Sequence, residues 1–131
     1  MSGAPGLGLV GVHDRREHTM AGGFVWFDLR TTDHERSQSF YEQLLGWEFA
    51  AQDGGPTMIN GEDGPWALVA DPPAKGSFWL PYVRVDDVDA AMKSAVELGA
   101  EIRQEKTAGP AGLFCVIADP TGAELALWQA A

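Results

Sequence analysis

Phe24-Val25-Trp26-Phe27-Asp28-Leu29-Arg30 leads into Asp33, a helical stretch, Gly46 and then Trp47-Glu48-Phe49, and further along the chain repeats this plan. Trp79-Leu80-Pro81-Tyr82-Val83-Arg84-Val85 leads into Asp87, a second helical stretch, Gly99 and then Ala100-Glu101-Ile102. Asp33 and Asp87 stand 54 residues apart, a spacing at which a repeat means one supersecondary unit used more than once. Each copy is too short to bury a core alone, so the two pack into one domain with a cleft between them.

Within the first copy, the β-branched and aromatic content of 24–30 reads as a strand. Alternation puts Phe24, Trp26, Asp28 and Arg30 on one face and Val25, Phe27 and Leu29 on the other. The second face is uniformly apolar and requires a covering helix. Asp33 suits an N-cap; Ser37, Phe40, Tyr41, Leu44 and Leu45 form the stripe that should cover the sheet; Gly46 is the stop. Strands at 47–52, 57–60 and 66–70 complete a β-α-β-β-β unit. In the second copy, a strand at 78–85 precedes a helix capped by Asp87, with Val88, Ala91, Met92, Ala95 and Leu98 turned inward. Strands at 101–104, 113–118 and 124–129 follow, the last after the turn Asp119-Pro120-Thr121-Gly122. The expected organisation is one domain over 24–129, with modules at 24–70 and 78–129 and a linker at 71–77. Residues 1–23 read as a flexible N-terminal tail or leader.

A chain of 131 residues with net charge −10 fits one domain whose acidity excludes nucleic acid, which needs a basic surface. The same charge favours a neutral or cationic ligand over an anionic one. No apolar run approaches the roughly 18 residues of a membrane span. The one cysteine, Cys115, excludes an internal disulfide and suits a reducing, cytoplasmic setting, and its apolar strand marks it as a buried structural thiol. His34 is the only histidine after residue 20 and falls in the first turn of a helix, a poor place for the base of a nucleophilic pair.

Asp33 with Phe40-Tyr41 and Leu45-Gly46-Trp47 resembles the first module of the vicinal oxygen chelate superfamily, which includes glyoxalase I, bleomycin-resistance proteins, fosfomycin-resistance enzymes and extradiol dioxygenases. Val85-Asp86-Asp87-Val88-Asp89-Ala90 with Gly99 resembles its second module, and Asp119-Pro120-Thr121-Gly122-Ala123-Glu124-Leu125 its closing turn and strand. With Leu127-Trp128-Gln129, this end is similar to an actinobacterial-type branch that is glyoxalase-like or hydroxylase-like. The resemblance covers residues 24–129. It implies an α+β fold of two tandem βαβββ modules forming a cup-shaped mixed sheet. It also implies where enzymatic members hold a metal: the first and last strands of each module. Those positions here are Trp26, Leu68, Leu80 and Ala126, none of which carries the imidazole, carboxylate or thiolate that a divalent cation needs. The expectation is therefore no metal site and no cofactor.

The mixed face remains. Alternation points Trp26, Asp28, Leu80, Tyr82, Arg84, Glu124 and Trp128 into the cup, with Trp66, Leu68 and Ala126 beside them. One reading is a pocket in which rings stack a small aromatic or amphipathic molecule and charged groups orient it; the other is a closed aromatic core. In the pocket reading Trp26 and Tyr82 face each other across the cup. Asp28 must be solvated, paired with Arg30 or Arg84, or bound to ligand. The leading function is a metal-free, small-molecule-binding protein. The alternatives are a lyase, isomerase or dioxygenase-type enzyme using a displaced metal or Asp28 or Glu124 as base, and a homodimeric interaction domain.

Overall fold

Asp33 and Asp87 both hold extended backbone and accept a hydrogen bond from the amide three residues on, Arg36 N and Ala90 N, each at 3.1 Å. These caps satisfy an otherwise orphaned donor and begin the two helices. Gly46 ends the first at φ 71°, a left-handed conformation that favours glycine. A computed structural model describes residues 21–72 and 76–131. Most of the expected tail at 1–23 and the middle of the linker at 71–77 lie outside the described residues.

The elements run β1 (Phe24–Arg30), α1 (His34–Leu45), β2 (Glu48–Gln52), β3 (Gly55–Gly61), β4 (Gly64–Ala70), β5 (Phe78–Arg84), α2 (Val88–Glu97), β6 (Glu101–Gly109), β7 (Gly112–Ala118) and β8 (Glu124–Ala130). This is the α+β fold of two βαβββ units. The eight strands form one mixed sheet in the order β2-β3-β4-β1-β5-β8-β7-β6. β1 runs parallel to β4 and β5 parallel to β8, while the antiparallel pair β1–β5 joins the modules. The sheet does not close, and β2 and β6 are its edges. β6 is longer than the expected 101–104 because its pairing with β7 continues to Gly109↔Gly112.

The sheet curls strongly. Four strand intervals separate β1 from β6, roughly 19 Å in a flat sheet. Yet Arg30 on β1 donates from Nη1 to Gln104 Oε1 on β6 at 3.3 Å. The two side chains meet only if the second module wraps back over β1, which makes one face of the sheet concave.

The convex side is covered differently in the two modules. α2 packs as its pattern predicts: Val88 is fully buried with Cys115, Ile117 and Leu127, flanked by Ala91, Met92 and Ala95. Leu98, expected to turn inward, is exposed. α1 departs further from expectation. None of its residues is buried, and Phe40, Leu44 and Leu45 are 56%, 62% and 51% exposed. The reason is an aromatic layer on the first module's sheet. Trp47, Trp66 and Trp79 pack against Ile59, Ala67 and Val69. Tyr41 is the ring through which α1 joins this layer, stacking on Trp47 at 5.0 Å and accepting a hydrogen bond from Trp79 Nε1 at 3.1 Å.

Trp66 was expected beside the cup and is instead part of this convex layer. The β3–β4 register shifts between Ile59 and Asn60, and such an irregularity redirects the side chain that alternation would have sent inward. Its ring meets Trp47 edge-on at 4.7 Å and stacks on Trp79 at 6.2 Å. These are contact distances that leave no room for a ligand between the rings.

Candidate functional site

Register carries the concave face across both modules. Trp26 lies opposite Tyr82, Tyr82 beside Ala126, Ala126 beside Val116 and Val116 beside Gln104. A parallel row sets Asp28 between Leu68 and Leu80. Leu80, Tyr82, Val116 and Ala126 are the buried floor, and Trp26, Phe78, Phe114 and Trp128 stand around it half-buried. Trp26 and Tyr82 do not face each other across a cup, because they occupy neighbouring antiparallel strands and stand side by side.

Asp28 joins them. The residue is 4% exposed, and its carboxylate accepts from Tyr82 Oη at 2.7 Å, Trp26 Nε1 at 3.2 Å and Arg30 Nη2 at 3.4 Å. Of the fates open to this carboxylate, the fold selects pairing with Arg30 rather than with Arg84. Arg84 instead lies over the Trp128 ring at 5.8 Å, a cation–π distance. Burial pushes the Asp28 carboxyl above its ordinary range, against the Tyr82 hydrogen bond, the Arg30 charge and the Trp26 hydrogen bond, which pull it down. The Tyr82 hydroxyl is pushed well up by burial and then by the Asp28 charge beside it. Tyr82 therefore stays a donor.

Arg30 extends the network. Beyond Asp28 it reaches Gln104, whose Nε2 donates to Thr107 Oγ1 at 3.3 Å. Its own Nε is buried without a hydrogen-bond partner among the described residues. Glu124 sits at the end of the concave face, paired with Arg103 at 3.4 Å. It lines an open depression of about 510 Å³ with Gly76, Ser77, Phe78, Trp79 and Gly122. Both carboxylates singled out as possible bases are thus held by cationic partners.

The four positions where the superfamily's metal would sit fall together on this face as Trp26, Leu68, Leu80 and Ala126. Leu80 and Ala126 are fully buried hydrocarbon, and no group of three or more His, Cys, Asp or Glu side chains converges among the described residues. A divalent cation does not fit this donor set. Alternation along the strands identifies Trp26, Asp28, Leu80, Tyr82 and Trp128 correctly as one face. It misses Gln104, Thr107 and Phe114, whose alignment depends on the β6–β7 register.

The described residues contain no helix long and apolar enough to cross a membrane. A family model described as a glyoxalase-like domain matches residues 25–128. The protein named "Putative glyoxylase CFP32" in Mycobacterium tuberculosis is 36% identical over 117 residues, covering 80% of this chain and 44% of that protein. The "Anthracycline biosynthesis protein DnrV" of Streptomyces peucetius is 30% identical over 129 residues, 82% of this chain and 47% of that one. The chain thus spans less than half the length of these relatives. Among solved structures, methylmalonyl-CoA epimerase of Streptomyces coelicolor superposes with a TM-score of 0.57 at 15% identity. The match covers 86% of this chain and 99% of that one, a likeness of fold.

Proposed function

Because the chain belongs to the glyoxalase-like domain family, within the vicinal oxygen chelate superfamily, we propose that it binds a planar aromatic or amphipathic small molecule on its concave face, without a metal. The observation that carries this reading is the ring of half-buried aromatics, Trp26, Phe78, Phe114 and Trp128, around a buried floor with a polar hub. Flat rings at partial exposure offer stacking area, and the hub supplies orientation. Asp28 already accepts three hydrogen bonds and Glu124 is ion-paired, which favours binding over proton abstraction, since a base needs reach to its substrate. The name of the Streptomyces peucetius relative concerns anthracyclines, which are planar and polycyclic, and this supports the same ligand class.

The test is a fluorescence titration with an anthracycline and with an aminoanthracene. The expected result is saturable binding, and a Kd raised about tenfold by Trp26→Ala, since losing an aromatic contact costs about 0.5–1.5 kcal/mol beyond its buried area. Absence of binding by both probes, or binding untouched by Trp26→Ala, refutes the reading.

A second reading rests on α1. Its exposed Phe40, Leu44 and Leu45 form a contiguous apolar stripe at helical spacing, and relatives more than twice the matched length have room for another unit of this size. The occupant this suggests is a second copy of the domain. Sedimentation should find a dimer that Leu44→Glu returns to monomer, because a charge in an apolar contact is left unpaired. A wild-type monomer at high protein concentration contradicts it.

A further inference from the structure

Among the described residues, Arg30 is the least satisfied buried polar group on the concave face. Its side chain is 8% exposed, yet its contacts to Asp28 and Gln104 are 3.4 and 3.3 Å long. A charge-assisted bond of a guanidinium is ordinarily about 2.7–2.9 Å. Its Nε has no partner among the described residues, and an unpaired buried donor is costly enough to require an explanation. A guanidinium presents five donors in a rigid fork, and this one has more donor capacity than the protein uses.

We infer that Arg30 is the recognition point for an oxygen of the ligand: a carbonyl or quinone oxygen on the planar aromatic molecule takes the place that the Gln104 carboxamide oxygen holds beside the guanidinium. The inference rests on the binding reading above and names the ligand class more narrowly. Three features support it. Gln104 offers Arg30 the same chemistry as the proposed ligand, a neutral carbonyl. Gln104 is also replaceable, because it lies on the edge strand β6 with register shifts on both sides, between Ile102 and Gln104 and between Gln104 and Thr107. Finally, Phe78, the register partner of Arg30 on β5, lines the open depression at this end of the face, so one half-buried residue links the strand position of Arg30 to open space.

Charge selects the oxygen type. Asp28 already balances Arg30, and the chain as a whole carries −10. A carboxylate or phosphate would add an uncompensated negative charge there, whereas a neutral carbonyl accepts from the fork without one.

The experiment compares an aminoanthraquinone with the matching aminoanthracene, planar three-ring molecules of similar outline in which two carbonyl groups replace the two central C–H groups, by titration calorimetry of the full chain. Wild type should bind the anthraquinone roughly threefold to tenfold more tightly, the gain from exchanging the long Gln104 contact for a well-formed hydrogen bond. Arg30→Met should abolish the preference and Arg30→Lys should reduce it, because the ammonium lacks the planar fork. Gln104→Ala should tighten anthraquinone binding by removing the competing oxygen. Equal wild-type affinities for the two probes would overturn the inference while leaving the binding reading intact; failure of both probes to bind would overturn both. A preference that survives both Arg30 variants, or an anthraquinone affinity weakened by Gln104→Ala, also rejects it. The wild-type comparison stands even if an Arg30 variant fails to fold.

Discussion

Asp28→Ala is expected to destabilise the protein by about 3–5 kcal/mol at neutral pH, read from denaturant unfolding, because it leaves the buried Arg30 guanidinium without its counter-charge. The carboxylate also serves as acceptor for Tyr82 and Trp26, so three donors on the concave face lose their partner at once. The double variant Asp28→Ala/Arg30→Met should recover much of the loss, since replacing a buried pair by apolar groups is far cheaper than breaking it. A loss below about 1 kcal/mol for Asp28→Ala would place the pair in the range of solvent-exposed ion pairs and deny it the role of hub. The pH dependence has a definite sign. Burial raises the folded-state value of the Asp28 carboxyl above its unfolded one, so the fold favours the protonated form and ionisation costs stability. Measured against the non-titrating Asp28→Asn, wild type should be relatively best at low pH. It should lose ground as pH rises from about 4, the unfolded carboxyl value, through the raised folded value, and then level off.

Gly112→Ala is the second large effect. Gly112 opens β7 at φ 140°, and a Cβ there would overlap the Gln129 carbonyl oxygen and lie 2.8 Å from Ala131 N. Both obstacles are backbone, on β8 or just past its end, so neither can swing aside. Positive-φ strain costs roughly 1–3 kcal/mol and overpacking a further 1–3 kcal/mol, for an expected loss of roughly 2–6 kcal/mol. The same corner is held by Ala131 N and Trp128 Nε1, both donating to Ala111 O. The variant should therefore loosen Trp128 on the concave face as well as lower Tm. A Tm within about a degree of wild type would show that β8 is not packed against this turn as described.

The repeat was legible because its signals are local. Aspartate caps, Gly46 and the turn at Asp119 each fix a boundary through chemistry contained within a few residues, and strand alternation then sorts Trp26 and Asp28 from Phe27 and Leu29. What was not legible depends on geometry between distant segments. Trp66 reverses its face through one irregularity in the β3–β4 ladder, which no period-two pattern contains. The stripe on α1 marks that helix face as apolar, but the stripe cannot say that three tryptophans would cover the sheet and leave Phe40 and Leu44 in solvent. The contact between Arg30 and Gln104 joins residues 74 apart in sequence. It exists because the sheet curls, a property of eight strands together rather than of either residue.

The five tryptophans divide the molecule: Trp26 and Trp128 on the concave face, Trp47, Trp66 and Trp79 in the convex layer. A nitrogen–proton correlation spectrum of the indole groups, recorded with chelator present while the aminoanthracene is added, therefore tests metal-free binding on the concave face most directly. The account predicts that the Trp26 and Trp128 signals move together and saturate, while those of Trp47 and Trp66, which do not line the depression beside the face, stay in place. Movement confined to Trp47 and Trp66, or no movement until the chelator is replaced by a divalent metal, would contradict it.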